Sequence, residues 1–357
     1  MDESSFEYVE NAVRNFIDPT AVKNRRISQA EHELKEIASS KSWKLITFYR
    51  HIKTMINLHH ISLVRKLVNL INITLGYFLD NSQKGKHQTR NLKSSSSFIN
   101  KQEQLFNRRV KRQGRVAVVL HLYYVDLWEE IYSYLCHIQE PFDIFISIPG
   151  HQNQVISEIL AVYPNAFIYF CPNRGRDIAP FIEIYSAIAD SGYSIICKIH
   201  SKKSQHLSNG DNWRLELFNE LLGSPQQISK ILNLFQNFPD LGMLVPQGYL
   251  YSALDISTIN NYSNLEYLAN VVNISWGGFD FEYPAGSMFW CRTESISLIR
   301  ELGFSTMDFP KEHGQLDNTL AHAMERFFGV MIKKRGQFIV DSSVLYAGSK
   351  KYDQELR

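Results

Sequence analysis

From Arg115 onward the chain alternates three times between a short apolar run of strand character and a helical stretch. The runs "RVAVVLHLYY", "FDIFISI", "AFIYF" and "YSIICKIH" read as strands, and "VDLWEEIYSYLCHI", "NQVISEILAVYP" and "DIAPFIEIYSAIADSG" as the helices between them. Near-continuous Val, Ile and Leu fit strands buried on both faces. A helix in each short connection makes the neighbouring strands parallel. The pattern predicts an α/β fold with a mostly parallel sheet flanked by helices. Beyond it come the helices "NWRLELFNELLG" and "SPQQISKILNLFQNF", the strand "GMLVP", a less regular region holding "WGGFDFEYPAGSMFWCR", the helix "TESISLIRELG" and a long helix from about Leu316 to Lys334. This latter part is expected to build onto the edge of the sheet.

Upstream the texture differs. Residues 1–80 read as a helical region, 81–114 as a basic flexible linker, 115–345 as the α/β domain and 346–357 as a tail. A formal net charge of +2 hides a division: Lys41 to Arg115 carries 16 Lys and Arg against two acids, and the rest carries 22 against 34. In "KSWKLITFYRHIKTMINLHHISLVRKLVNLINITLGYFL", Leu45, Phe48, Ile52, Val64, Val68 and Ile71 recur at helical spacing opposite Lys41, Lys44, Arg50, Lys53 and Arg65. A basic amphipathic helix of this kind suits an anionic membrane surface, and it equally suits docking on the α/β domain with its basic face in water. The linker "DNSQKGKHQTRNLKSSSSFINKQEQLFNRRVKRQGR" has no base-stacking module after it, so no nucleic acid partner is expected. The acidic N-terminus is unlike a signal peptide, and no stretch reaches the roughly 18 apolar residues of a spanning helix. The four cysteines form no CxxC. These features predict a cytoplasmic protein, peripheral on the inner face of the bacterial cytoplasmic membrane.

Three charged clusters fall at the carboxyl ends of the strands, where open α/β sheets bind ligands. In "YFCPNRGRDIAPF" a turn of Asn173, Arg174, Gly175 and Arg176 leads to Asp177, placed to cap the next helix, with Pro180 in its first turn. Backbone donors, a helix N-terminus and two guanidiniums are the ingredients of a phosphate site; the same residues also make a structural turn whose arginines pair with Asp177 and surface acids. In "CKIHSKKS", Lys198 and His200 share one strand face with Ile199 on the other, and Lys202 and Lys203 follow. Burial of Lys198 requires a paired anion. The third cluster joins "PAGSMFWCR" to "EHGQLDNTLAHAMERFFG", where Asp317 stands at a helix entry, while His322 and Glu325 fit packing or surface roles. Cations at two strand ends and acids at a third suit a diphosphate leaving group and a general base, as in glycosyl transfer from a nucleotide sugar.

The segments "NRGRDIAPF", "KIHSKKS", "WR" at Trp213 and Arg214, "PAGSMFW" and "GQLDNTLAHAMER", in this order over about Arg115 to Val340, resemble the rhamnan synthesis protein F family of bacterial glycosyltransferase-like proteins. The resemblance implies a GT-A-like, Rossmann-like nucleotide-diphospho-sugar transferase domain. It implies an inverting hexosyltransferase, rhamnosyltransferase-like, that moves L-rhamnose or another deoxyhexose to a growing O-antigen, capsule or rhamnan; the alternative is a non-catalytic sugar-binding or scaffolding protein of the same machinery. Implied partners are a nucleotide sugar donor, a lipid-linked saccharide acceptor, the anionic membrane surface and other polysaccharide-assembly glycosyltransferases. Where GT-A enzymes carry an Asp-x-Asp metal motif, this chain reads "IHSKKS". No cofactor and no divalent metal is therefore expected, the cation being replaced by Lys202 and Lys203 with help from Arg174 and Arg176. The donor diphosphate site is assigned to Asn173, Arg174, Gly175, Arg176, Asp177, Lys198, His200, Lys202 and Lys203. Asp317 is the expected base, with Glu312 in reserve, and Tyr283, Phe289 and Trp290 the expected acceptor platform.

Overall fold

The strand β1 (Val116–His121) is buried at every position, and its side chains divide by strict alternation: Val116, Val118 and Leu120 enter one core, Ala117 and Val119 the other. A strand with an apolar layer on each side belongs at the centre of a sheet covered by helices on both faces. In the computed structural model, which describes residues 3–25, 28, 112–150, 153–201, 210–253, 261–275, 281–312, 314 and 317–346, β1 takes that place. It pairs in parallel with β2 (Phe142–Pro149) and β4 (Ile195–His200), and β2 pairs in parallel with β3 (Phe167–Cys171).

Between these strands run α2 (Trp128–Leu135), α3 (Asn153–Val162) and α4 (Ile178–Asp190), as the alternation predicts. Then come α5 (Gly210–Leu222), α6 (Pro225–Asn237) and β5 (Leu241–Val245). Helix α6 starts where Ser224 accepts from the Gln227 N–H at 3.2 Å and Pro225 occupies the first helical turn. A two-stranded antiparallel ribbon, β6 (Leu250–Ser252) with β7 (Glu282–Pro284), flanks α7 (Tyr262–Val271). The chain continues through β8 (Phe289–Arg292), the short α8 (Ile299–Leu302), α9 (Leu320–Lys334) and β9 (Phe338–Asp341).

The sheet has seven strands in the order β3-β2-β1-β4-β8-β5-β9. Strand β8 is antiparallel to both β4 and β5, and β9 is parallel to β5. The later strands thus add onto the β4 edge of the four-stranded parallel sheet, as expected, and "FWCR" of the irregular region is itself a strand, between β4 and β5. That placement buries Phe289 and Trp290 completely, on opposite faces. Phe289 packs against Phe181 and Phe328, and Trp290 donates its indole N–H to the Leu221 carbonyl at 3.1 Å. Each such burial contributes about 1.5–3 kcal/mol. Both residues are core, and the acceptor platform expected of them is corrected accordingly.

An N-terminal helix α1 (Glu3–Ile17) adds Val9 and Val13 to the core on the Trp290 face, and Arg25 reaches Glu282 of β7 at 3.6 Å. The expected amphipathic helix at 41–79, nearly all of the basic linker, and Lys202 and Lys203 lie outside the described residues. Among the described residues, no helix is long and apolar enough to cross a membrane.

Candidate active site

The carboxyl ends of β1, β3 and β4 open into a cleft of about 770 Å³, closed on its far side by the β6–β7 ribbon and the entry to α9. That volume lies within the usual range for a small-molecule site. The ends of β1 and β4 are locked together, because Ser201 N–H donates to the His121 carbonyl at 2.9 Å and Tyr124 N–H to Ser201 Oγ at 2.8 Å.

The turn after β3 is shaped by two successive left-handed residues, Gly175 at φ 62° and Arg176 at φ 55°. Glycine is required at the first, since a Cβ there would lie 2.6 Å from the Phe309 ring and from Ala179 Cβ. A non-glycine residue in this region costs about 1–2 kcal/mol, and such cost collects at functional sites. Arg176 lines the cleft, with Nε 3.5 Å from a Glu312 carboxylate oxygen. Arg174 turns the other way. Its guanidinium donates to the carbonyls of Phe309 at 2.9 Å and Met307 at 3.4 Å, and its backbone bridges to Lys311. The two arginines therefore part company: Arg176 faces the ligand space, and Arg174 ties the turn to the segment that carries Glu312.

Asp177 occupies the cap position of α4, but its side chain caps nothing. Its carboxylate instead accepts from Lys198 Nζ and Ser287 Oγ. Lys198 is 1% exposed, donates also to the Ser287 carbonyl at 2.7 Å, and lies over the Phe181 and Phe289 rings at 5.4 and 5.7 Å. Here is the anion that burial of Lys198 demands. Burial alone would raise the Asp177 carboxyl, but the Lys198 ammonium, then His200 and the hydrogen bonds hold it well below the usual carboxylate range. Lys198 does not line the cleft. Its assignment to the donor diphosphate is corrected: it neutralises Asp177 under the cleft floor.

His200 shares the Lys198 face as the alternation predicts, lines the cleft, and donates from Nε2 to the Gly286 carbonyl at 3.0 Å. Beside it on β1, His121 bonds Ser147 Oγ through Nδ1 at 2.8 Å. Burial first, with His200 and Lys198 adding to it against Asp177, brings His121 down to about 4. Asn173 lines the rim near Tyr123.

Acids and aromatics form the opposite wall. Asp317 precedes α9, which begins at Leu320 rather than Leu316, and its Oδ1 accepts from Asn261 Nδ2 at 2.7 Å with Arg326 at 3.9 Å. Glu325 accepts from the Gly286 N–H. Tyr283 lines the cleft, with the Arg326 guanidinium 5.0 Å over its ring and Tyr251 at its edge. Trp213 stacks on Tyr249 with ring centroids 6.1 Å apart and 15° between planes. The aromatic wall thus comprises Trp213, Tyr249, Tyr251 and Tyr283. Sequence reasoning found only Tyr283, although "GYLYS" places Tyr249 and Tyr251 two apart, on one side of an extended segment.

Arg176, Asp177, Asn173, His200, Glu312, Asp317 and Tyr283 converge on one cleft; Arg174, Lys198, Phe289 and Trp290 do not. Residues 47–336 match the family described as rhamnan synthesis protein F. Two curated relatives, both described as uncharacterized protein WxcX, come from Xanthomonas campestris pv. campestris, one from strain B100 and one from a second strain. Each is 32% identical over 223 residues, which cover 62% of this chain and 32% of the relative. The chain therefore spans about a third of the length of these relatives. With four fifths of its residues inside the match, the chain belongs to the rhamnan synthesis protein F family.

Proposed function

We propose that the chain is a glycosyltransferase that moves a sugar, L-rhamnose or another deoxyhexose, from a nucleotide-diphosphate donor to a growing surface polysaccharide. The supporting observation is that a guanidinium, Arg176, and a carboxylate, Asp317, line one cleft together with the aromatic residues Trp213, Tyr249, Tyr251 and Tyr283. Asp317 takes the proton from the acceptor hydroxyl, whose oxygen attacks the anomeric carbon. The bond from that carbon to the diphosphate breaks, and its electron pair leaves on the phosphate oxygen, next to Arg176. One displacement of this kind inverts the anomeric centre. Asn261 orients the base by donating from Nδ2 to Asp317 Oδ1, and the aromatic wall presents ring faces to the apolar faces of the acceptor sugar. The Arg176 guanidinium, with Lys202 and Lys203 of the adjoining segment, supplies the positive charge that a metal ion would otherwise bring, so transfer is proposed to be metal-independent.

Family membership suggests a role in rhamnan or related polysaccharide synthesis. The basic face of residues 41–79 is proposed to bring the domain to the membrane surface near a lipid-linked acceptor. The deciding experiment measures donor hydrolysis and transfer over a panel of nucleotide sugars, with and without EDTA, for wild type and Asp317→Asn. Transfer by wild type, its loss in Asp317→Asn and indifference to EDTA are expected; equal activity in the two proteins removes Asp317 as base, and loss in EDTA restored by magnesium or manganese removes metal independence. A second reading, a non-catalytic sugar-binding protein, gains support because Arg174 and Lys198 are engaged within the fold. It predicts saccharide binding with no turnover of any donor.

A further inference from the structure

The entry to α9 carries a capping box with an unusual partner. Thr319 Oγ1 accepts from the backbone N–H of His322, and His322 takes the reciprocal place usually held by Glu or Gln. Its Nδ1 faces two donors, the Thr319 N–H at 3.4 Å and the Thr319 hydroxyl at 2.7 Å. The backbone N–H can only donate, so Nδ1 accepts from it and the hydroxyl proton is left to donate to the same nitrogen. Nδ1 is therefore an acceptor, and the neutral ring carries its proton on Nε2.

The ring is also held neutral. Burial first, then Arg176 and Arg326, against the opposing pull of Asp317 and Asp177, bring His322 down to about 4. His322 lines the cleft at 8% exposure, and its Nε2 is buried with no hydrogen-bond partner among the described residues. Buried donors are nearly always satisfied, so an orphan at the wall of a cleft marks a place where a ligand completes the bond.

We infer that His322 is a ligand-binding residue whose Nε2–H donates to a phosphate oxygen of a nucleoside diphosphate, alongside Arg176. The ligand atom must be an acceptor, since His322 offers only a proton. It is assigned to the phosphate because the Arg176 and Arg326 guanidiniums line the same cleft as His322. A neutral donor there strengthens anion binding without adding a charge that Asp317 would neutralise. The inference rests on the donor-site reading above.

The test is calorimetric binding of UDP, dTDP and GDP to wild type, His322→Ala, His322→Gln and Thr319→Val, each first checked for folding by circular dichroism. His322→Ala is expected to weaken the nucleoside diphosphate that binds by about 10- to 100-fold. His322→Gln, which offers an amide N–H in place of Nε2–H, is expected to keep most of the affinity, and Thr319→Val to lose part of it by freeing the tautomer. Imidazole ¹⁵N shifts of wild type are expected to report Nε2–H before ligand and a shifted Nε2 after it. Should wild type bind none of the three, the donor-site reading fails and this inference with it. Binding by wild type that His322→Ala leaves intact overturns the His322 assignment alone. A loss confined to nucleotide sugars, with the bare diphosphates unaffected, overturns the phosphate contact. If His322→Ala does not fold, an Nε2 shift that ignores the diphosphate is the overturning result.

Discussion

Lys198 separates two accounts of this cleft, and they predict different failures when it is removed. As a donor-site cation, Lys198→Met would weaken nucleotide binding and leave the fold alone. As the buried partner of Asp177 it must do the reverse. Its Nζ donates to the Asp177 carboxylate, to the Ser287 carbonyl at 2.7 Å and to Ser287 Oγ at 3.3 Å. The side chains are 2% and 13% exposed, so deleting either charge strands the other in a low-dielectric site. Breaking such a pair from one side costs about 3–5 kcal/mol. For a domain of this size, where each kcal/mol moves the melting point by about 2 °C, the expected fall is about 6–10 °C in either Lys198→Met or Asp177→Asn. The double variant, which leaves no buried charge, is expected to melt above both single ones. The pH dependence has a definite sign. Asp177 is depressed in the folded state, so its contribution is complete above the unfolded carboxyl value of about 3.9 and is lost as pH falls below it. The gap between wild type and Asp177→Asn therefore closes on acidification below about pH 4. Thermal melts of the four proteins from pH 3 to 8 decide the matter. A Lys198→Met protein that melts within about 1 °C of wild type, or a double variant that loses the sum of the single losses, refutes the structural role.

Three further outcomes follow from the same geometry. Arg176→Ala is expected to weaken nucleoside diphosphate binding about 10- to 100-fold with little change in melting point, whereas Arg174→Ala, which frees the 307–309 carbonyls, lowers the melting point first; calorimetry paired with melts checks both. Gly175→Ala combines a left-handed φ with contacts of 2.6 Å and is expected to destabilise by about 2–4 kcal/mol while also raising the donor KM, because the turn that aims Arg176 must shift. Trp213→Ala is expected to raise the acceptor KM several-fold while leaving donor hydrolysis unchanged, and steady-state kinetics over acceptor concentration would show otherwise if Trp213 serves packing alone.

How far the residues themselves disclosed all this depends on the range of the interactions involved. The core order of strands and helices from Val116 to His200 was legible because it is written in local periodicity, and the sharing of a face by Lys198 and His200 follows from the two-residue repeat. Strand β8 was not legible. Its four residues "FWCR" are too short to show alternation, and only the neighbours that β4 and β5 provide on either side make it a strand. The error carried into the site: aromatic residues next to "PAGS" look like a platform until the backbone is known to run through the middle of the sheet.

Charge gave the harder lesson. Arg174, Arg176, Asp177 and Lys198 are four charged residues at two strand ends, and composition alone cannot say which are spent on each other. Asp177 and Lys198 are 21 residues apart and meet although β2 and β1 lie between β3 and β4 in the sheet, because α4 crosses back over it. With Arg174 tied to the carbonyls of Met307 and Phe309, Arg176, beside Glu312, is the guanidinium of the turn that lines the cleft, and that sharpens what the site can bind. A cleft floor already neutral within itself does not attract any polyanion indiscriminately. On the proposed reading the donor diphosphate meets Arg176 and His322 while the acceptor sugar meets Trp213 and Tyr249. Arg174 and Lys198, two of the expected cations, are engaged inside the fold, which is why turnover of a nucleotide sugar, and not saccharide binding alone, separates the transferase reading from the non-catalytic one.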